Sequence, residues 1–313
     1  MKKTFISVLT IFIGLALVSS IAFPWGSATH AYIADHLGQV GLLNLYEIYG
    51  AMVPDMFNYA FDLPPAVQLF LHDLTHGQPN DESFMAVWNY GSTMDEKSVG
   101  YGFVCHNDVW AADYTAHHQA SKKKKKEGYV IFKAQKLNKK LRTHPEYGEL
   151  YRSLGLPDEV AEEVCHNLVE TAGDILIKRE DPQIGQKVMD SAFIRPAWCV
   201  NFLVDAYGLS GSMYAIIFGL VEPEFRSNML GYGWVLLNLN EEAAISALGA
   251  QLANLAVIYL ATKGITIDLE DAMILADVGL REAMKLCMND YMKEIDSTID
   301  FVDEELVDHE INY

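Results

Sequence analysis

Histidine and carboxylate side chains recur in this sequence at spacings that suit metal ligation. Seven of the ten histidines lie between residues 30 and 118: His30, His36, His72, His76, His106, His117 and His118. In the segment from Gly102 to His117, positions 106, 113 and 117 fall within about 40° of one another on a helix advancing about 100° per residue. A helix over that segment stacks His106, Asp113 and His117 on one stripe, able to serve two metals at different heights, with Trp110 beside them. Asp108 falls on the opposite face. Three such side chains in register are hard to bury without a cation between them. Further on, His166 and Glu170 stand at i and i+4, where imidazole and carboxylate meet and chelate one ion. Gly173 shares that face and allows a close approach by another backbone or a substrate.

Other pieces are weaker taken singly. His30 follows Trp25 in Trp-Gly-Ser-Ala-Thr-His, Asp55 closes the loop Gly-Ala-Met-Val-Pro-Asp, and His72 and His76 form a second i, i+4 pair. Each also reads as a core residue, a helix cap or a solvated pair. Four cysteines, Cys105, Cys165, Cys199 and Cys287, include no CxxC, which argues against a thiolate metal site. Cys105 and Cys165 each precede a candidate ligand histidine, so a disulfide between them and separate buried thiols are both open.

The order W-G-x-x-x-H, P-D, H, G-F-V-x-H, D-x-x-x-H, then H-x-x-x-E, over roughly residues 25–175, resembles the zinc-dependent phospholipase C and S1/P1 nuclease superfamily, the phospholipase C family most. The resemblance implies an all-α, multi-helix bundle around two or three Zn²⁺ lining a cleft. It also implies hydrolysis of a phospholipid or another phosphodiester by zinc-activated water. By that likeness Asp55, His76 or His72, His106 and Asp113 hold one zinc, and His117, His166 and Glu170 a second. Trp25 and His30 complete a third, with Asp113 bridging. Asp55, a loop carboxylate beside the metals, is the expected general base. The family's first helix reads H-x-x-x-D, whereas six residues separate His106 from Asp113 here, so the spacing predicts a longer His–Asp distance on the same face. An S1/P1-type single-strand nuclease is the alternative, which base-stacking aromatics among Phe57, Tyr59, Phe61 and Trp88 at the cleft would favour. A zinc-binding envelope protein without catalysis is a third reading.

The elements that must carry these residues read as helices. Apolar residues follow a 3.6-residue period, and no strand-length alternation recurs at hairpin spacing. The pattern predicts helices over about 27–38, 65–75, 81–91, 98–118, 129–141, 157–178, 183–192, 197–219, 230–262 with a break, and 268–308. The helix near 157 opens on Pro157, Asp158 and Glu159, suited to the positive end of its dipole. A boundary near Glu222–Arg226 divides a zinc domain, 23–222, from a C-terminal helical extension, 223–313, expected to pack on the metal domain or on a second subunit. That extension ends in an acidic tail, Asp300 to Glu310.

Residues 1–22 have a signal-peptide layout: Lys2 and Lys3, an apolar run from Phe5 to Val18, then small residues. The segment is also long enough for an uncleaved anchor, and either reading exports the domain to the outside of the membrane. No later stretch is expected to be long and apolar enough to span. The 313 residues are 50% hydrophobic and 21% charged, enough to bury a core and unlike a disordered chain. A net charge of −19 repels polyanions at long range, which makes nucleic acid the less favoured partner. Against that background Lys122–Lys126 is a solvated loop or a contact for anionic headgroups, worth about 1 kcal/mol per lysine.

Overall fold

The computed structural model describes residues 26–58, 60, 62–119 and 127–313. The expected signal segment, Trp25, Tyr59, Phe61 and Lys122–Lys126 lie outside the described residues. The chain is 76% helical, with no strand among the described residues. Its α-helices are α1 (Ser27–Leu37), α2 (Leu42–Met52), α3 (Pro65–His76), α4 (Met85–Tyr90), α5 (Met94–His106), α6 (Ala112–His117), α7 (Tyr129–Arg142) and α8 (Gly148–Ser153). They continue with α9 (Asp158–Glu180), α10 (Ile184–Ile194), α11 (Cys199–Ala206), α12 (Met213–Asn238), α13 (Glu241–Thr262), α14 (Leu269–Cys287) and α15 (Tyr291–Asp308). A 3-10 turn, Val53–Phe57, follows α2 directly.

The helix expected over 98–118 is two helices. A capping box starts α5: Thr93 Oγ1 accepts from the Glu96 amide at 3.2 Å, and the Glu96 carboxylate accepts from the Thr93 amide at 2.9 Å. The helix ends at His106 because Asn107 Oδ1 accepts from the amides of Val109 and Trp110, both at 2.9 Å, closing an Asx turn. The chain reverses there and re-enters a helix at Ala112.

Helix α2 was not expected, for a physical reason. From Tyr46 to Met52 every residue is buried, so its apolar character runs round the helix and leaves no stripe. It packs on α5 at a crossing open only to glycine. A Cβ on Gly102 would lie 1.9 Å from the Glu47 carbonyl oxygen, and one on Gly50 would lie 2.2 Å from that of Val99. The resulting close approach brings the end of α2, and the 3-10 turn after it, against the end of α5.

Helix α12 runs through the boundary expected near Glu222–Arg226, with Pro223 inside it. Glu222 is buried and accepts from Arg195 at 2.8 Å and from Tyr49, so this stretch belongs to the core and is no linker. The expected 197–219 helix is interrupted between Ala206 and Met213, and the 268–308 helix at Met288–Asp290. The break within 230–262 falls at Leu239–Asn240, where the Asn240 side chain caps α13 through the Ala243 amide. The acidic segment from Asp300 forms the last turns of α15 rather than a tail. Helix α14 packs on α13, α9 and α7, and α15 touches α1, α6 and α9.

One helix among the described residues, Glu241–Thr262, is long and apolar enough to cross a membrane by length and composition, contrary to expectation. Here α13 lies against α14 with Ala244, Ile245, Leu248 and Leu252 buried. All four cysteines are buried free thiols, which removes the suggested disulfide between Cys105 and Cys165.

Candidate metal centre

The ends of several helices converge on one buried point. The 3-10 turn supplies Asp55, the last residue of α3 is His76, the last residue of α5 is His106, and the first turn of α6 carries Asp113. All four are buried. His106 Nε2 lies 3.0 Å from Asp113 Oδ2 and 3.4 Å from Asp55 Oδ1. His76 Nε2 lies 3.2 Å from Asp55 Oδ1 and 3.8 Å from Asp113 Oδ2. From α1, His30 stacks on His106 with centroids 4.0 Å apart and sets its Nε2 3.1 Å from Asp113 Oδ1. The longer His106–Asp113 distance expected from the spacing is therefore wrong. The turn at Asn107 folds the extra residues out and brings the pair together.

A second group forms where α6 meets α9. His117 Nε2 is 3.8 Å from Glu170 Oε1, and His166 Nε2 contacts the same oxygen. One ligand atom from each of His117, His166 and Glu170 lies within 4.8 Å of the others, and the same holds for Asp55, His76, His106 and Asp113.

Three features of this chain fit a bound divalent cation. First, the ring protons are already committed. His106 Nδ1 donates to the Ala51 carbonyl at 2.7 Å, His76 Nδ1 to the His72 carbonyl at 3.1 Å, and His117 Nδ1 to Asp108 Oδ1 at 3.0 Å. With Nδ1 so tied, Nε2 is the atom each ring presents to the carboxylates, and a positive charge, either a second ring proton or a metal ion, must lie between them. Second, His30 Nε2, His106 Nε2, His117 Nε2, Asp55 Oδ2, Glu170 Oε2 and both Asp113 oxygens are buried without a hydrogen-bond partner. These atoms are close but not aimed at one another, as ligands round a common centre would be. Third, the 3.0–3.8 Å separations match the edge of a tetrahedron with arms of about 2.0–2.1 Å, which is roughly 3.3 Å.

The electrostatics agree. Among the described residues the ion partners of Asp55, Asp113 and Glu170 are all histidines. Burial opposes charge on His106, but Asp113 and Asp55 outweigh it and hold the imidazole up at about 10. Burial, helped by His106, lowers His30 to about 4, and burial beside His72 and His106 holds His76 well below its usual value. Burial raises Asp55, whereas His106 and His30 overcome burial to hold Asp113 low. The nest attracts positive charge that its own side chains supply only in part.

Among the candidates, His30, Asp55, His76, His106 and Asp113 come together at the first point and His117, His166 and Glu170 at the second. His72 joins neither group: it stacks on His76 at 4.0 Å and leaves its own ring part-exposed. Three further residues went unrecognised in the sequence. Asp108 turns back to bind His117 and, through Oδ2, His118 at 3.0 Å, rather than pointing away. Asn58 Nδ2 donates to Asp55 Oδ1 at 2.8 Å. Asp174, one turn beyond Glu170, accepts from the amides of Ala28 and Thr29 at 2.9 and 2.8 Å and so anchors the start of α1 that presents His30. Only Asp174 left a sequence signal, its i+4 spacing from Glu170. The close approach allowed at Gly173 is used by Tyr291 of α15, whose hydroxyl would lie 2.1 Å from a Cβ there.

No family model, curated protein or solved structure matches the chain.

Proposed function

We propose that this chain is a zinc-dependent phosphodiester hydrolase of the phospholipase C and S1/P1 nuclease type, phospholipase C-like in its substrate, acting outside the cytoplasm. The observation that carries the reading is the pair of imidazole–carboxylate groups, one buried and one part-buried, several of whose ligand atoms have no hydrogen-bond partner. Asp55, His76, His106 and Asp113 would hold one ion, and His117, His166 and Glu170 another. His30 would extend the first site through Asp113. Bound Zn²⁺ would supply charge neutralisation at phosphoryl oxygens and a water of pKa near ~7.

The chain's own groups then have separate tasks. Asp55 Oδ1 accepts from Asn58, which leaves Oδ2 as the atom to accept a proton from the attacking water. The backbone carbonyls of Ala51 and His72 fix the tautomers of His106 and His76. His72, His117 and His166 line a cavity and form its approach to the second group. The nuclease reading lacks the support it needs from two of its aromatics. Phe57 packs on Phe218 and Trp88 on Tyr313, both within the core.

Zinc-loaded protein assayed on phosphatidylcholine and on single-stranded DNA tests the proposal. The expected result is release of phosphocholine. Cleavage of the DNA instead would transfer the site to the nuclease class, and full zinc with no turnover of either would leave a metal-binding protein without catalysis.

A further inference from the structure

A cavity of about 730 Å³ opens beside the second group, a size within the range of small-molecule sites. His117 and His166 line it, from α6 and α9. Most of the remaining lining is apolar and comes from elsewhere in the fold, including Leu141 of α7, Leu255 of α13, and Leu275 and Ala276 of α14. The lining also carries the charged side chains of Glu163 and Lys263, but two of its polar side chains are engaged away from a ligand. The Tyr151 hydroxyl donates to Asn138 Oδ1 at 3.2 Å, and the Gln68 amide donates to the carbonyls of Phe57 and Asn58 at 3.0 and 2.9 Å. His117 Nε2, by contrast, is buried and unpartnered. The cavity thus offers a ligand one coordinating end at His117 and His166 and a mostly apolar wall beyond it. A phosphodiester head alone would leave that interior empty.

We infer that this cavity takes one hydrocarbon chain of an amphiphile whose phosphoryl head lies at His117, His166 and Glu170. The placement of the head rests on the hydrolase reading above, and the placement of the chain rests on the cavity itself. The C-terminal helices α13 and α14 then determine specificity, because they supply much of the apolar wall. Affinity must rise with chain length while methylenes continue to enter, by roughly fourfold for each one buried.

The test is calorimetric titration of the zinc-loaded full chain with hexyl-, octyl-, decyl- and dodecylphosphocholine, each kept below its micelle concentration. Affinity should climb steeply along the series in the wild type. Ala276→Phe and Leu255→Trp, each shown by circular dichroism and zinc content to be folded and loaded, should flatten that climb. A flat series in the wild type overturns the inference without recourse to any variant, and so does an undiminished climb in both folded variants. Turnover of bis(p-nitrophenyl) phosphate, which has no alkyl chain, reports the hydrolase reading separately. Turnover with a flat series would sink the cavity and keep the hydrolase. A climbing series without turnover would keep the chain-binding cavity and sink the hydrolase.

Discussion

Asp108 shows how much of a candidate metal site lies outside the side chains that would ligate the ion. Its two carboxylate oxygens bind His117 Nδ1 and His118 Nε2, both at 3.0 Å, and so fix the ring that presents Nε2 to Glu170. A ligating imidazole held this way is oriented and made more basic, and losing the partner costs about 10–100-fold in metal affinity. Asp108→Asn should therefore weaken one zinc by about that factor and leave the other unchanged, read by competition with a chromogenic chelator. Equal weakening of both ions would mean that Asp108 supports the fold and not the second site. The i, i+4 pair His166 and Glu170 is legible in the sequence. The single stripe expected for His106, Asp113 and His117 is not what forms, because the break after His106 sends His106 and Asp113 to one group and His117 to the other. The choice between His72 and His76 is not legible, since both sit on α3 and only the approach of Asp55 separates them.

At the scale of elements, the site depends on how helix ends are held. The start of α1 is tied to α9 by Asp174, which accepts from Ala28, Thr29 and the Tyr232 hydroxyl. Burial pushes this carboxyl up to about 6, against the pull of those donors. The folded chain then binds the proton more tightly than the unfolded chain, whose carboxyl titrates near 3.9. Asp174 therefore contributes most below about pH 4, and that contribution falls as the pH rises through about 6 and is flat above. The loss is about 3 kcal/mol. Urea unfolding from pH 4 to 8 should show the difference between wild type and Asp174→Asn shrinking by about that amount, and a constant difference would refute the assignment. Helix periodicity made α9 and α3 readable, with Asp158 and Glu159 in the first turn of α9. It could not reveal α2, buried all round, or the turn at Asn107, which lacks the glycine or proline that usually marks a break. Helix α12 continues through Pro223, across the boundary expected near Glu222–Arg226.

Over the whole molecule, the long-range packing was the least readable part. That α13 and α14 line a cavity reaching the histidines of α6 and α9 follows from contacts between residues far apart in sequence, of which no local pattern carries a trace. The same packing buries Asp55, Asp113 and Glu170 with, among the described residues, only histidines as ion partners, in a chain of net charge −19. Such carboxylates are costly to bury unless a cation joins them. The most direct test is elemental analysis of the purified protein after zinc loading and desalting, with thermal unfolding followed before and after chelation at neutral pH. At least two zinc ions per chain, one for each ligand group, and a lower midpoint after chelation are the predicted result. Less than one ion per chain, with a midpoint that chelation does not move, would contradict the metal centre on which the account rests.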